Sequence, residues 1–144
     1  MDDTYYMKEA LKEAHKAMEA DEVPIGAIVV CNGTIVGRGH NQTEMLSDVT
    51  AHAEILALTA ATQTLGGKYL NDATMYVTVE PCTMCAGALA WAQLGRLVYG
   101  ASDEKRGYAR LSPSPLHPKT EVTRGLMEAE CKELVLRFFS NKRR

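Results

Sequence analysis

Thr50-Ala51-His52-Ala53-Glu54 and Glu80-Pro81-Cys82-Thr83-Met84-Cys85 decide how this 144-residue chain is read. Together they spell H-x-E followed by P-C-x-x-C. One imidazole and two thiolates suffice to hold a zinc ion with its fourth tetrahedral position open to water. A carboxylate two residues from the imidazole is placed to move protons for that water. Taken singly, each piece has a plainer reading. Cys82 and Cys85 alone read as a redox pair or as half of a structural zinc site. His52 alone reads as a hydrogen-bonded core histidine, and Glu54 alone as a solvated helix carboxylate. The combination weighs differently, because a structural zinc normally takes a fourth protein ligand. The remaining histidines, His15, His40 and His117, have no close-spaced partner to offer one.

Working outward, both stretches sit where helices begin. Residues 52–65 read as a helix with Thr50 as its N-cap and Ile55, Leu56, Leu58, Ala61 and Leu65 as its inner face. Residues 73–79 are β-branched and aromatic, hence a strand. Pro81 stands just ahead of a helix over 82–94. There the i, i+3 spacing puts both sulfurs on one face of a turn, and the free N–H groups of the helix start favour thiolates. Upstream, residues 5–20 form an amphipathic helix whose inner positions are Tyr6, Ala10, Leu11, Ala14, Ala17 and Met18. Asn32-Gly33 between strand-like runs 25–31 and 34–38 is a hairpin signal. A polar loop over 39–48 carries His40 and Asn41. Downstream come a strand over 96–101, a loop over 102–118 with Gly107 and three prolines, a short strand over 121–123 and a last helix over 127–139. Its inner side is Cys131, Leu134, Val135 and Phe138. Strands and helices alternate after the hairpin, which predicts an α/β fold with a mixed five-stranded sheet covered by helices, in one domain over 1–144. The two ligand-bearing helix starts then lie side by side at one edge of the sheet.

The apolar content of 46% and charged content of 24% suit a soluble globular chain. No stretch approaches the roughly 20 apolar residues of a membrane span. The acidic start, Met1-Asp2-Asp3-Thr4, argues against a secretory signal, so the expected address is cytoplasmic. In a reducing compartment the close cysteine pair reads as a metal or redox site before a disulfide. The net charge of −2 is uneven: residues 1–100 carry 6 Lys/Arg against 12 Asp/Glu, and residues 101–144 carry 10 against 6. The basic end, through Lys142-Arg143-Arg144, suits phosphates and equally suits a helix end whose cations complement the dipole.

These residues resemble the zinc nucleobase deaminases, and within them the bacterial tRNA-specific adenosine deaminases, over nearly the whole chain. The matching stretches are Glu22-Val23-Pro24-Ile25-Gly26-Ala27, Asn41, Asp48, residues 50–55, residues 70–88, residues 95–101 and the tail with Phe138-Phe139. The resemblance implies a three-layer α/β/α, cytidine deaminase-like fold. It implies one Zn2+ per chain on His52, Cys82 and Cys85, with Glu54 as the proton shuttle. It implies a substrate pocket of Asn41, Val23, Pro24, Ala53 and Asp103, where Asn41 faces the purine edge; read without it, Asn41 is a turn residue and Asp103 caps a turn. The implied reaction is conversion of adenosine to inosine at the wobble position of a tRNA anticodon loop, by a homodimer. The alternative is a deaminase of a free base or nucleoside, which the same metal site would serve. The chain departs from the family at Val49, at Met45-Leu46-Ser47 and at Gly107-Tyr108-Ala109-Arg110-Leu111-Ser112. All three lie where RNA would dock. Arg106, Arg110, Lys119 and Tyr108 have two readings: they rebuild that surface with cations and a stacking ring, or they are ordinary exposed loop residues.

Overall fold

The computed structural model describes residues 1–142; Arg143 and Arg144 of the basic end lie outside the described residues. Helix α1 (Asp3–Glu19) is capped by Asp2, whose carboxylate accepts the Tyr5 N–H. Strands β1 (Gly26–Cys31) and β2 (Thr34–His40) flank the Asn32-Gly33 turn, in which both residues take positive φ (51° and 74°). That pair of angles is the hairpin turn that Asn-Gly favours. Then follow α2 (Ala53–Leu65), β3 (Ala73–Val79), α3 (Thr83–Trp91), β4 (Arg96–Ala101), a 3-10 turn at Tyr108–Arg110, β5 (Glu121–Arg124) and α4 (Glu128–Lys142).

The sheet order is β2-β1-β3-β4-β5. The β1 strand is antiparallel to β2 and β3, while β3, β4 and β5 are parallel. The sheet is therefore mixed, as expected. One face packs Ala27, Val29, Met75, Val77 and Tyr99 against Ala57, Ala61, Ala86 and Leu89 of α2 and α3. The other packs Ile28, Val30, Tyr76 and Val98 against Tyr6, Met7 and Ala10 of α1 and Cys131 of α4. The result is three layers, α/β/α.

Two readings of the helices are corrected. The α2 helix begins at Ala53, with His52 in extended conformation (φ −76°, ψ 154°) as the residue ahead of it. Thr50 does not cap; its hydroxyl and N–H both bond to Asp48 Oδ1. The inner face of α2 is Ala53, Ala57 and Ala61, whereas Leu65 is 43% exposed and Ile55, Leu56 and Leu58 are half-buried. The reason is close approach. A Cβ on Gly37 or Gly39 would stand 2.4 or 2.5 Å from the Ala57 or Ala53 carbonyl oxygen. The β2 strand and α2 thus meet backbone to backbone, leaving room only for small side chains between them.

Direction fixes the site. The β2, β3 and β4 strands all end at one edge of the sheet, and β1 begins there, opposite His40. The Val23-Pro24 turn, Asn41, the starts of α2 and α3, and the loop after β4 all emerge at that edge, where ligand sites of open α/β sheets form.

Candidate metal and active site

His52 and Cys82 are the residues just ahead of α2 and α3, and Cys85 lies in the first turn of α3. This puts His52 Nδ1 at 3.6 Å from Cys82 Sγ and 3.4 Å from Cys85 Sγ. All three donor atoms lie within 4.8 Å of one another. Metal bonds of 2.0–2.3 Å at tetrahedral angles require ligand atoms about 3.3–3.8 Å apart. His52 stands at that spacing from both sulfurs, so the donor set fits one ion and supplies three of four tetrahedral ligands.

The electrostatics agree. Cys82 is held down at about 3, first by the Cys85 thiol that donates to it and then by His52. Cys85 is pushed up as that donor and by burial, and His52 is raised chiefly by its bond to Cys82. Without an ion, three ligand groups share protons among themselves; with one, the metal's charge takes their place. Glu54, 4% exposed in the first turn of α2, stands against this trio. Burial is the main cause that raises its carboxyl to about 7, and its neighbours are His52, Cys82 and the Cys85 thiol. A buried carboxyl that changes protonation near neutrality beside a metal site suits general acid–base work.

The other expected residues divide. Asn41 is 8% exposed, and its Oδ1 is a buried acceptor with no hydrogen-bond partner among the described residues. Such an atom costs free energy until a donor reaches it. Val23 is half-buried and Pro24 buried, in the turn that leads into β1. Ala53 is fully buried in the core, so what it presents outward is its first-turn N–H, which has no acceptor within the helix. Asp103 is half-buried, and its Oδ1 accepts the Lys105 and Arg106 N–H groups, capping a turn. Tyr108 is corrected as a stacking ring. It is 5% exposed and packs edge-on against Tyr99 at 6.3 Å, because the 3-10 turn tucks it inward.

Two residues of this edge were quoted in the sequence without a role. Glu22 is 2% exposed, and its carboxylate oxygens accept the N–H groups of Glu44 (3.1 Å) and Met45 (2.8 Å). Glu80 is 6% exposed and accepts those of Asp103 (3.0 Å) and Ala109 (2.8 Å). The available signal was a carboxylate one or two places before a proline, Glu22-Val23-Pro24 and Glu80-Pro81, at the strand edge that carries the site.

Fold and site define a class, the nucleobase-type deaminases built on a His-Cys-Cys metal site, and the sequence profile of the MafB19-like deaminase family matches residues 1–143. The tRNA-specific adenosine deaminase of Agrobacterium fabrum is 46% identical, over 97% of this chain and 95% of its own. That of Bacillus subtilis is 44% identical, over 99% and 91%. A solved structure from work on A-to-I editing by tRNA:A34 deaminases at the wobble position of transfer RNA superposes with a TM-score of 0.85 at 45% identity, over 91% of this chain and 99% of that one. The guanine deaminase of Nitrosomonas europaea superposes at 0.82 with 25% identity, over 95% and 84%. The chain belongs to the tRNA-specific adenosine deaminase family within the MafB19-like deaminases.

Proposed function

We propose that this chain converts adenosine to inosine at the wobble position of a tRNA anticodon, with one zinc ion per chain held by His52, Cys82 and Cys85. The observation that carries the reading is a three-ligand metal site with a buried carboxylate, Glu54, against it. The relatives supply the substrate. When bound, the metal supplies Lewis acidity that lowers the pKa of a water molecule to about 7. Glu54 accepts a proton from the water that attacks C6 of the adenine. It returns that proton to N1 of the ring, then takes the proton of the new C6 hydroxyl and delivers it to the amino nitrogen, which leaves as ammonia as the C6 carbonyl forms. The unpartnered Asn41 Oδ1 accepts from the base edge and orients the ring. Val23 and Pro24 wall the pocket, the Ala53 N–H faces the reacting edge, and Asp103 shapes the rim. An anticodon loop suits this pocket, because its bases splay out at little cost.

The tRNA arrives at the loops over 102–119, where Lys105, Arg106, Arg110 and Lys119 are exposed. No helix among the described residues is long and apolar enough to cross a membrane. That accords with the cytoplasmic address we propose.

The chain works as a homodimer on this reading, and the outer face of α2 and α3 is the surface we assign to the partner copy. The α3 helix has no charged residue, and the one charged residue of α2 is the buried Glu54. Met84 and Trp91 lie on one side of α3, 38% and 85% exposed, with half-buried Gly87 and Ala88 between them. An uncharged helix face with an exposed Trp is the composition of an interface centre. Trp91→Glu is expected to halve the solution mass, as read by light scattering at micromolar concentration. An unchanged mass removes this face from the dimer.

The activity is tested with a panel of tRNAs bearing adenosine at the wobble position, read out for inosine, beside free adenosine and free guanine read out for ammonia. Inosine at the first anticodon position is the expected result. Ammonia from the free compounds alone would replace this reading with that of a small-substrate deaminase.

A further inference from the structure

The Glu80 carboxylate is a costly group to bury. No described lysine or arginine forms an ion pair with it. Its two oxygens are instead satisfied by the backbone N–H groups of Asp103 and Ala109. Those residues sit near the two ends of the loop over 102–111, so one side chain ties the loop shut.

The rest of the loop is organised around that tie. Asp103 accepts the N–H groups of Lys105 and Arg106 on its carboxylate and that of Gly107 on its carbonyl. Tyr108 donates to the Pro81 carbonyl, Arg110 to Gly107 and Leu111 to Tyr108. Every amide from Lys105 to Leu111 therefore has an acceptor, although the segment is mostly irregular. Gly107 forms a β-bridge with Cys82. It also lies so close to Glu80 that an added Cβ would stand 2.2 Å from Oε2. The close approach explains a glycine at this position without appeal to its φ, which is −64°.

What the fixed backbone presents is charge. Lys105, Arg106 and Arg110 are exposed, and none pairs with a described carboxylate. We infer that Glu80 is a positioning residue for RNA: its buried carboxylate holds the loop over 102–111 in the shape that sets Lys105, Arg106 and Arg110 against phosphates beside the target adenosine. The inference rests on the proposed function and adds the residue that sets where the RNA backbone is gripped. Cations on a pre-ordered loop bind without the ordering cost of a floppy one, and a carboxylate serves because it is an acceptor at both oxygens. Glutamine of the same size turns an N–H donor toward one of the two amides.

Glu80→Gln and Gly107→Ala are compared with wild type on an anticodon stem-loop with adenosine at the wobble position. Both are expected to raise KM and the stem-loop Kd about tenfold, while kcat stays within about threefold. Amide exchange at Asp103 and Ala109 is expected to accelerate at least about tenfold in both. Metal content and the absorption spectrum of the cobalt-substituted protein stay as in wild type. The double variant Arg106→Gln/Arg110→Gln should raise KM as much with amide exchange unchanged, which tests the cations without disturbing Glu80. Wild type that forms inosine, with KM unchanged in these variants, overturns the inference alone. A fall in kcat with an altered cobalt spectrum also overturns it, since Glu80 would then act through Cys82. Wild type that forms no inosine overturns the proposed function and this inference together.

Discussion

Glu54→Gln is expected to lower kcat by about 10²–10⁴-fold, the range that a positioned acid–base group contributes, with metal content unchanged. The side chain is asked for two proton transfers on one base, to N1 and to the leaving nitrogen, and glutamine performs neither. Its amide occupies the same space, so the packing around a residue that is 4% exposed stays filled. Thermal stability is expected to hold or rise. Burial is the main cause that raises the Glu54 carboxyl to about 7, so the ionised form is unfavourable where it sits. Many active-site acids carry this conflict between packing and chemistry. Stem-loop Kd should change little, because Glu54 bears on the reacting edge and the phosphates are held elsewhere. Turnover within tenfold of wild type would take Glu54 out of the proton path and leave it the task of orienting His52 or Cys85.

The metal ligands were legible in the sequence because their chemistry demands residue types that few other uses require in that order. Turn chemistry was equally legible: Asn32-Gly33 takes the two positive φ angles that Asn-Gly favours. The inner face of α2 was legible only at Ala61 and, part-buried, at Leu58. Apolar periodicity favours the larger side chains, but Gly37 and Gly39 draw β2 so near the helix that only Ala53, Ala57 and Ala61 fit. The displaced Ile55 and Leu56 end half-buried, next to the face we assign to a partner, while Leu58 packs part-buried against the core. The two carboxylate ties were illegible for a different reason. Glu22 and Glu80 bind backbone N–H groups 22–29 residues away, and every residue but proline carries the same N–H. The acceptor can be read from sequence; its donor is set by the path of the chain. Tyr108 was misread likewise, since an aromatic in a polar loop reads as exposed until the 3-10 turn shows which way it faces.

The second large effect is loss of the metal centre. Cys85→Ala leaves two of three ligands, His52 and Cys82, on two different helix starts. Deamination is expected to fall to the background rate and bound metal to below about a tenth per chain. The fold should survive at reduced stability, because both helices are also anchored through the core by Ala57, Ala61, Ala86 and Leu89. A metal present at about 1,000 times its dissociation constant contributes about 4 kcal/mol to the folded state. For a domain of this size that corresponds to a Tm lower by about 8–16 °C. Part of any drop belongs to the lost thiol itself, which is fully buried and donates to Cys82. Chelation separates the two contributions. Wild type treated with a strong chelator should lose most of the same Tm, and Cys85→Ala should not respond to the chelator at all. If the variant still bound one metal per chain and lost Tm on chelation as wild type does, Cys85 would not be a ligand. The three-donor geometry at the starts of α2 and α3 would then lose its chemical meaning.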